Sequence, residues 1–428
     1  MTVYRPHRYE ISQSEHPTPM LIGLLLAVCL RAAHDLVGTG ILPALVRDLG
    51  GESLAGGFFA AFSFAAALGI LAGGAAADRF GAARTFAAGL AGFALGMLGT
   101  GFAPHMHAVV AARAVEGFFA GMFSCVVSTV VMRAYDDAAR PRVLAWLSAA
   151  WVVPGLLAPA GAVSAAAQLG WRAVFLGLVP LVAVAAALAL PRLLRLGGAR
   201  NGGARSPFSL LANASLRAAL VTRALVVIAF FGVEAFMPLA LERVLGASKP
   251  QQALLLTLSA LFWTAGAFAQ ARWNARFSPR TFARAGGALL VGGIAVAVSS
   301  LAGAVSIGVA LGAWALAGLG MGIAYQTATA AAMRTADAGS EGVTGAALGI
   351  TDALAIAAST GACGAFLARE PLAFGVAPVV LIAGFALATG LGLASLWSAQ
   401  RLRGGTSAVG EAVAAQGPLL SGTRRGPK

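Results

Sequence analysis

The chain has 428 residues, 59% of them hydrophobic and only 11% charged, against about 25% charged in a soluble domain. That excludes a water-soluble fold and points to a bilayer as the solvent. The net charge of +14 raises nucleic acid as a partner, but the basic residues sit in short tufts between apolar runs, the pattern of topology signals, so no nucleic acid is expected.

Residues 1–18 form a polar tail without the apolar core and small-residue site of a cleavable signal peptide, so the first span is expected to stay attached. Twelve apolar spans follow, near 19–43, 53–75, 84–104, 107–131, 143–168 and 173–190, then 220–241, 251–271, 285–304, 306–332, 343–367 and 376–398. Backbone groups in hydrocarbon must be satisfied internally, so each span is taken as a helix. With the N-terminus inside, 23 of the 30 Lys and Arg residues fall on the cytoplasmic side, which places both termini there. The expected organisation is a cytoplasmic tail (1–18), a six-helix bundle (19–190), a basic Gly/Ser/Pro-rich linker (191–219), a second bundle (220–399) and a disordered tail (400–428).

The first span carries three ionisable residues, Arg31, His34 and Asp35, in "CLRAAHDLVGTG". Spacings of three and four put them on one helix face. Lipid cannot be their environment, so that face should meet other helices or a wet cavity. The fourth span carries Arg113 and Glu116. At 1.5 Å per residue, Asp35 comes level with Arg113 and Arg31 with Glu116, so a two-rung charge ladder is expected if these two helices face each other, as they do in the fold that the family likeness of the motifs below implies. The alternative is a static buried network that only fixes packing.

The two halves resemble each other. "ILPALVRDLG" (41–50) closes the first span and "FMPLALERVLG" (236–246) the seventh. "DRFGAARTFAAG" (78–89) and "ARFSPRTFARAG" (275–286) join equivalent spans. A parallel six-helix repeat is a transporter signature. Glycines four apart, Gly69/Gly73, Gly92/Gly96, Gly117/Gly121 and Gly318/Gly322, predict close helix packing rather than nucleotide loops.

Three motifs carry a family likeness. "GGAAADRFGAARTF" resembles the cytoplasmic loop of the major facilitator superfamily, matching at Gly74, Asp78, Arg79, Gly81 and Arg84; the resemblance implies a conformational latch, with Asp78 capping the next helix or pairing with Arg. "RAVEGFFAG" is similar to the fourth-helix motif of proton-coupled drug exporters in that superfamily, matching at Arg113 and Gly117, with Glu116 where glutamine is usual. "WVVPGLLAPAGAV" is similar to their fifth-helix antiporter motif, matching at Pro154, Gly155, Pro159 and Gly161, with Ala158 where glycine is usual. "FFGVEAFMPLAL", "LSALFWTAGAFAQARW", "GLGMGIAYQT" and "GITDALAIAASTGACGA" extend the likeness over nearly the whole chain.

The resemblance implies an all-α integral membrane protein of the major facilitator fold, with twelve transmembrane helices in two pseudo-symmetric bundles. It implies a proton-driven exporter of hydrophobic or cationic drug-like compounds, monomeric, in the bacterial cytoplasmic membrane. The alternatives are a carrier of one small metabolite and a non-transporting sensor. No enzyme chemistry, cofactor or metal is expected, and Cys29, Cys125 and Cys363 are too scattered for a disulfide or metal framework. Proton-coupling candidates are Asp35, Glu116, Glu234, Asp352 and His34. Glu234 and Asp352 are read as unpaired carboxylates. Arg31, Arg113, Tyr325, Gln326 and Trp151 are candidates for lining the substrate cavity. Trp146, Trp171, Trp273 and Trp397 are read as interfacial anchors, and Trp151, Trp263 and Trp314 as filling space.

Overall fold

The computed structural model describes residues 18–135, 140–196, 213–273, 276–302, 306–335 and 341–369. Its helices are α1 (Pro19–Leu49), α2 (Ala55–Phe80), α3 (Ala82–Gly101), α4 (Met106–Ala134), α5 (Arg140–Leu169), α6 (Trp171–Leu193), α7 (Ala214–Glu234), α8 (Met237–Leu245), α9 (Lys249–Trp273), α10 (Pro279–Ser299), α11 (Ile307–Met333) and α12 (Glu341–Arg369). No strand occurs among the described residues. Among the described residues ten stretches are long and apolar enough to cross a membrane, with α7 and α8 together forming one of them, Ala214–Leu245. α5, with 30 residues, has the length for an eleventh. The expected span at 376–398, the tails, Trp397 and most of the linker lie outside the described residues.

The internal repeat is visible in the packing. In the first half α2 packs on α4, α4 on α3, and α1 on α5; in the second, α9 packs on α11, α11 on α10, and α7 on α12. The same rule, α2 to α9 and α5 to α12, relates the two seams between the halves, α2 against α12 and α5 against α9.

Glycine sets these distances. A Cβ on Gly117 or Gly121 would collide with the Phe62 or Ala66 carbonyl of α2, and one on Gly318 or Gly322 with the Ser259 or Trp263 carbonyl of α9. Gly69 and Gly73 meet the backbone of Phe118 and Met122 in the same way. Between helices that gain nothing from excluding lipid, such contact supplies the packing energy. Large apolar side chains such as Phe64, Leu68, Leu95 and Leu157 remain exposed on the outer surface, as a bilayer requires.

The halves are not equally close at both ends. At the end that carries the α1–α2 connection they share one apolar core, with Ile41, Leu42, Leu45, Phe58 and Phe59 from the first half against Phe230, Phe236, Met237 and Leu241 from the second. Toward the α2–α3 end the main cores separate, one built on Leu24, Phe86, Phe93 and Phe123, the other on Leu216, Ala219 and Ala332. Ala66 and Ala67 still meet Ile350 and Ala353 along the α2–α12 seam. The molecule is therefore closed at one end, and its halves part toward the other.

Substituting Gly121→Leu is expected to destabilise the purified protein by about 1–3 kcal/mol through overpacking. Gly312→Ala, where nothing lies within 4 Å of the added methyl, is expected to leave thermal unfolding in detergent unchanged or slightly raised.

Candidate functional site

The ionisable residues of α1 and α4 do come together, but not as a ladder. Arg31 pairs within its own helix, Nε donating to Asp35 Oδ2 at 3.3 Å, and its Nη1 donates to Ser124 Oγ at 2.8 Å and to the Ala120 carbonyl at 3.4 Å. Arg113 also pairs within its helix, Nη1 donating to Glu116 Oε2 at 2.8 Å. The expected Asp35–Arg113 and Arg31–Glu116 rungs do not form. Arg31 sits about one turn farther along α4 than upright helices would place it, because a depth reckoned along upright axes leaves out tilt. α1 has 31 residues, about 47 Å of helix, in a core about 30 Å thick.

His34 joins the two pairs. Its Nε2 lies 2.8 Å from both Glu116 Oε2 and Arg113 Nη1, and its Nδ1 lies 3.6 Å from Asp35 Oδ1. The ring is fully buried, between Phe62, Phe93 and Phe175 at centroid distances of 5.3, 5.0 and 5.7 Å. Glu116 accepts a third bond, from Thr100 Oγ1 at 2.6 Å. Arg113 donates from Nε to the Phe58 carbonyl at 3.2 Å and lies over the Phe58 and Phe62 rings at 4.4 and 4.3 Å. Buried charge is tolerated when it is paired and hydrogen-bonded, and Arg113 and Glu116 meet that condition. Asp35 does not fully meet it: its buried Oδ1 has no hydrogen-bond partner.

The second half holds a cluster that the sequence reveals only in part. Arg223 lies in α7, at the start of the seventh span, where the Lys and Arg count groups it with the basic residues of the linker. Its guanidinium grips Asp352 of α12 side-on, Nε to Oδ1 at 2.7 Å and Nη2 to Oδ2 at 2.6 Å. It also donates to Thr329 and Tyr325 of α11, and Tyr325 donates to Asp352 Oδ2 at 2.8 Å. Asp352 is thus paired, contrary to expectation. A carboxylate in a membrane span implies a cation within reach, and the arginine nearest the start of the seventh span was the signal available. Glu234 is held as well, by Trp314 Nε1 at 2.6 Å and Ser259 Oγ at 3.1 Å, so Trp314 is a donor as well as a filler. Trp263 packs its edge on Tyr325 at 5.5 Å.

The other candidates spread out. Gln326 is partly buried on α11, and α5 carries Trp151, Pro154, Gly155, Pro159 and Gly161. A Cβ on Gly155 would stand 3.7 Å from the Ala260 methyl of α9, which puts that motif on the seam between the halves. Gly81 makes the α2–α3 turn at φ 88°. It occupies the N-cap of α3, and Asp78 lies inside α2, three residues before it. Gly74 lies within α2; Arg79 lies over the Phe80 ring at 5.2 Å and Arg84 is exposed. Trp171 is buried and donates to Asp48 Oδ2 at 2.9 Å, unlike the exposed Trp146 and Trp273, so it is tied into the protein rather than serving as a lipid anchor. No group of three or more metal-binding side chains occurs among the described residues.

Comparison with known proteins agrees with this architecture. A probable multidrug-efflux transporter of Mycobacterium tuberculosis is 29% identical over 177 residues, 41% of this chain and 37% of its own length. The multidrug resistance protein B homolog of the same organism is 31% identical over 195 residues, 42% of this chain and 35% of its own. The fatty acid resistance protein FarB of Neisseria gonorrhoeae is 29% identical over 153 residues, 35% of this chain and 30% of its own. The matches thus span about a third of these relatives' lengths. Among solved structures, a bacterial homologue of the human lysosomal transporter Spinster, inward-facing and unoccupied, superposes with a TM-score of 0.65 at 14% identity, covering 90% of this chain and 94% of that one. The human organic anion transporter MFSD10 gives 0.66 at 17%, covering 89% and 99%.

Asp352→Leu, which strands Arg223 in the bundle, is expected to cost about 3–5 kcal/mol, and Arg223→Met in the same chain to recover most of it, read as thermal unfolding in detergent. The family model of the Major Facilitator Superfamily matches residues 23–360, and with the packing repeat and the fold likeness this establishes that the chain belongs to that superfamily of membrane transporters and is not an enzyme.

Proposed function

We propose that this transporter exports hydrophobic cationic compounds in exchange for protons, across the bacterial cytoplasmic membrane, by alternating access. One observation carries the choice of a cation. In each half one ion pair shows its acid more than its arginine: Asp35 is 25% exposed against 16% for Arg31, and Asp352 21% against 6% for Arg223; the Arg113–Glu116 pair is buried altogether. The charge presented to the space between the halves is therefore negative, and Trp263 and Tyr325 add aromatic surface beside it, suited to a cation with an apolar body.

Asp35 supplies the exchange. A proton on it removes the anion that holds Arg31, leaves a positive site and disfavours a cation; a bound cation disfavours the proton. His34 is placed to deliver that proton. With hydrogen on Nε2 the ring donates to Glu116; with Nε2 accepting from Arg113, the hydrogen sits on Nδ1, facing Asp35 Oδ1. Glu116, fully buried and accepting from Thr100, Arg113 and His34, holds the geometry. The distribution of Lys and Arg puts the α2–α3 end, with its Asp78–Arg79–Arg84 latch, in the cytoplasm. The conformation closed at the α1–α2 end is then the one open inward. The relatives named for multidrug efflux support the same direction of transport.

In proteoliposomes with an imposed pH gradient, cationic dyes such as ethidium are expected to move against it. Asp35→Asn is expected to lower gradient-driven transport at least tenfold while dye binding loses its pH dependence. His34→Gln is expected to slow transport and keep binding. If Asp35→Asn transports at the wild-type rate, or if organic anions alone are moved, the reading is wrong.

A further inference from the structure

Aligning α4 with α11 on Gly117 and Gly318 sets Ser124 against Tyr325. Each half thus carries a hydroxyl at the same place in its repeat. Each hydroxyl accepts from an arginine on the first helix of its own half: Ser124 from Arg31 at 2.8 Å, and Tyr325 from Arg223. Aligning α1 with α7 on Pro43 and Pro238 puts Arg223 opposite Val28, about one turn from Arg31.

The two hydroxyls send their own hydrogens to different places. Tyr325 donates to Asp352 Oδ2 at 2.8 Å. Arginine, phenol and acid close into a ring, and Arg223 covers both Asp352 oxygens, at 2.7 and 2.6 Å. Ser124 instead donates back to its own helix, to the Ala120 carbonyl at 2.7 Å, a habit of serine inside helices. Arg31 Nη1 reaches that carbonyl too, at 3.4 Å. One turn of α4 therefore presents two oxygens to one guanidinium nitrogen, and neither belongs to the acid.

Asp35 bears the consequence. Arg31 reaches only its Oδ2, at 3.3 Å, beyond the usual span of such bonds. Its Oδ1 is buried and has no hydrogen-bond partner. Glu116, by contrast, has three partners within 2.8 Å. A tighter grip on Asp35 is open to Arg31: residues four apart on a helix are neighbours, and a guanidinium can fork onto both oxygens of a carboxylate, as Arg223 does. The bond to Ser124 turns Nη1 the other way. The remaining charged or titratable groups acting on Asp35 are His34, on its own helix, and Arg113 of α4.

We infer that Ser124 is a positioning residue: it holds Arg31 back from Asp35 and so keeps one carboxylate oxygen open for the ammonium or phosphonium group of a substrate. When such a cation takes Oδ1, Arg31 withdraws onto Ser124 and the Ala120 carbonyl without leaving the site. Without the Ser124 hydroxyl, Arg31 closes over both Asp35 oxygens and becomes a tethered competitor. A neutral compound gains nothing from the open oxygen, so the same contact selects for positive charge. This rests on Asp35 as the cation site proposed above.

The test is labelling of Asp35 by dicyclohexylcarbodiimide in the full chain in membranes, with and without tetraphenylphosphonium. The peptide carrying Asp35 is read by mass spectrometry. The reagent adds to a carboxyl that is open and protonated; an arginine closed over the acid denies it both. The parent is expected to be labelled, and the phosphonium to slow the reaction. Ser124→Ala is expected to slow labelling about fivefold and to weaken phosphonium binding by a similar factor, the net worth of one hydrogen bond. Ser124→Cys, close in volume and a weak acceptor, is expected to match alanine, and Ser124→Thr to match the parent. Arg31→Gln removes the competitor, so adding Ser124→Ala to that chain is expected to change nothing further. Parent-like labelling in Ser124→Ala and Ser124→Cys, with both proteins monodisperse on size exclusion, overturns the inference. So does an effect of Ser124→Ala that survives Arg31→Gln, or a Ser124→Thr that labels as slowly as alanine. If labelling follows Ser124 through Arg31 while the phosphonium protects Asp35 in no chain, the positioning role stands and the cation reading falls. If the phosphonium protects parent and Ser124→Ala equally well, the cation reading stands and the positioning role falls.

Discussion

Everything polar in this protein is governed by the cost of placing charge where water is scarce. A lone ion in the bundle would cost several kcal/mol or more, so the buried ions find hydrogen-bond partners on neighbouring helices. Arg113 and Glu116 find theirs on α1, α2 and α3, Arg223 on α11 and α12. These networks fix how the helices turn about their axes, which apolar packing alone leaves loose: along most of α1, α5 and α11 apolar residues occur on every side. The glycine contacts set how close the helices come; the charges set which faces meet.

The same cost explains which parts of the site were legible in the sequence. That Arg31, His34, Asp35, Arg113 and Glu116 belong together followed from charge in an apolar span. Their partners did not, because pairing depends on helix tilt and on competition from the same helix. Arg113 has Glu116 three residues away, and Arg31 has Asp35 four away; once those pairs close, the shared element is the neutral-or-charged His34, which a count of formal charges passes over. Arg223 was missed for a different reason. It stands nine residues into α7, close enough to a basic linker to be counted with it, and only the structure shows it turned inward to Asp352. Glu234 read as alone because its partners, an indole and a hydroxyl, carry no charge.

The fold was legible more fully, since backbone in hydrocarbon has few options and the glycine pairs announce the close contacts. The break between α7 and α8 was not. Pro43 stands at the equivalent place in α1, and there the helix runs on without interruption to Leu49. The same proline yields a continuous helix in one half and a break in the other, so proline alone does not decide. What differs is what holds the residue four back: Thr39 bonds its own helix, to the Leu36 carbonyl, whereas Glu234 is fastened by its side chain to α9 and α11.

That difference belongs to a wider asymmetry. The glycines of α4 and α11 align Gly117 with Gly318 and Gly121 with Gly322, so Arg113 corresponds to Trp314; the prolines align Asp35 with Phe230. The contact made in the first half by an acid, an imidazole and a guanidinium is made in the second by two stacked aromatic rings, 16° from parallel. The positions are equivalent, and the chemistry is not. Of the two equivalent positions, one carries titratable groups and the other does not. In the second half ionisable chemistry lies to either side of that stack: Arg223 with Asp352 toward the start of α7, and Glu234 at its end, beside the break. A repeat that began with identical halves could bind the same thing twice. With the acid–imidazole pair in one half and a buried aromatic stack in the other, the two halves differ in chemistry at this level, and on the proposed reading only the charged one trades its occupant for a proton.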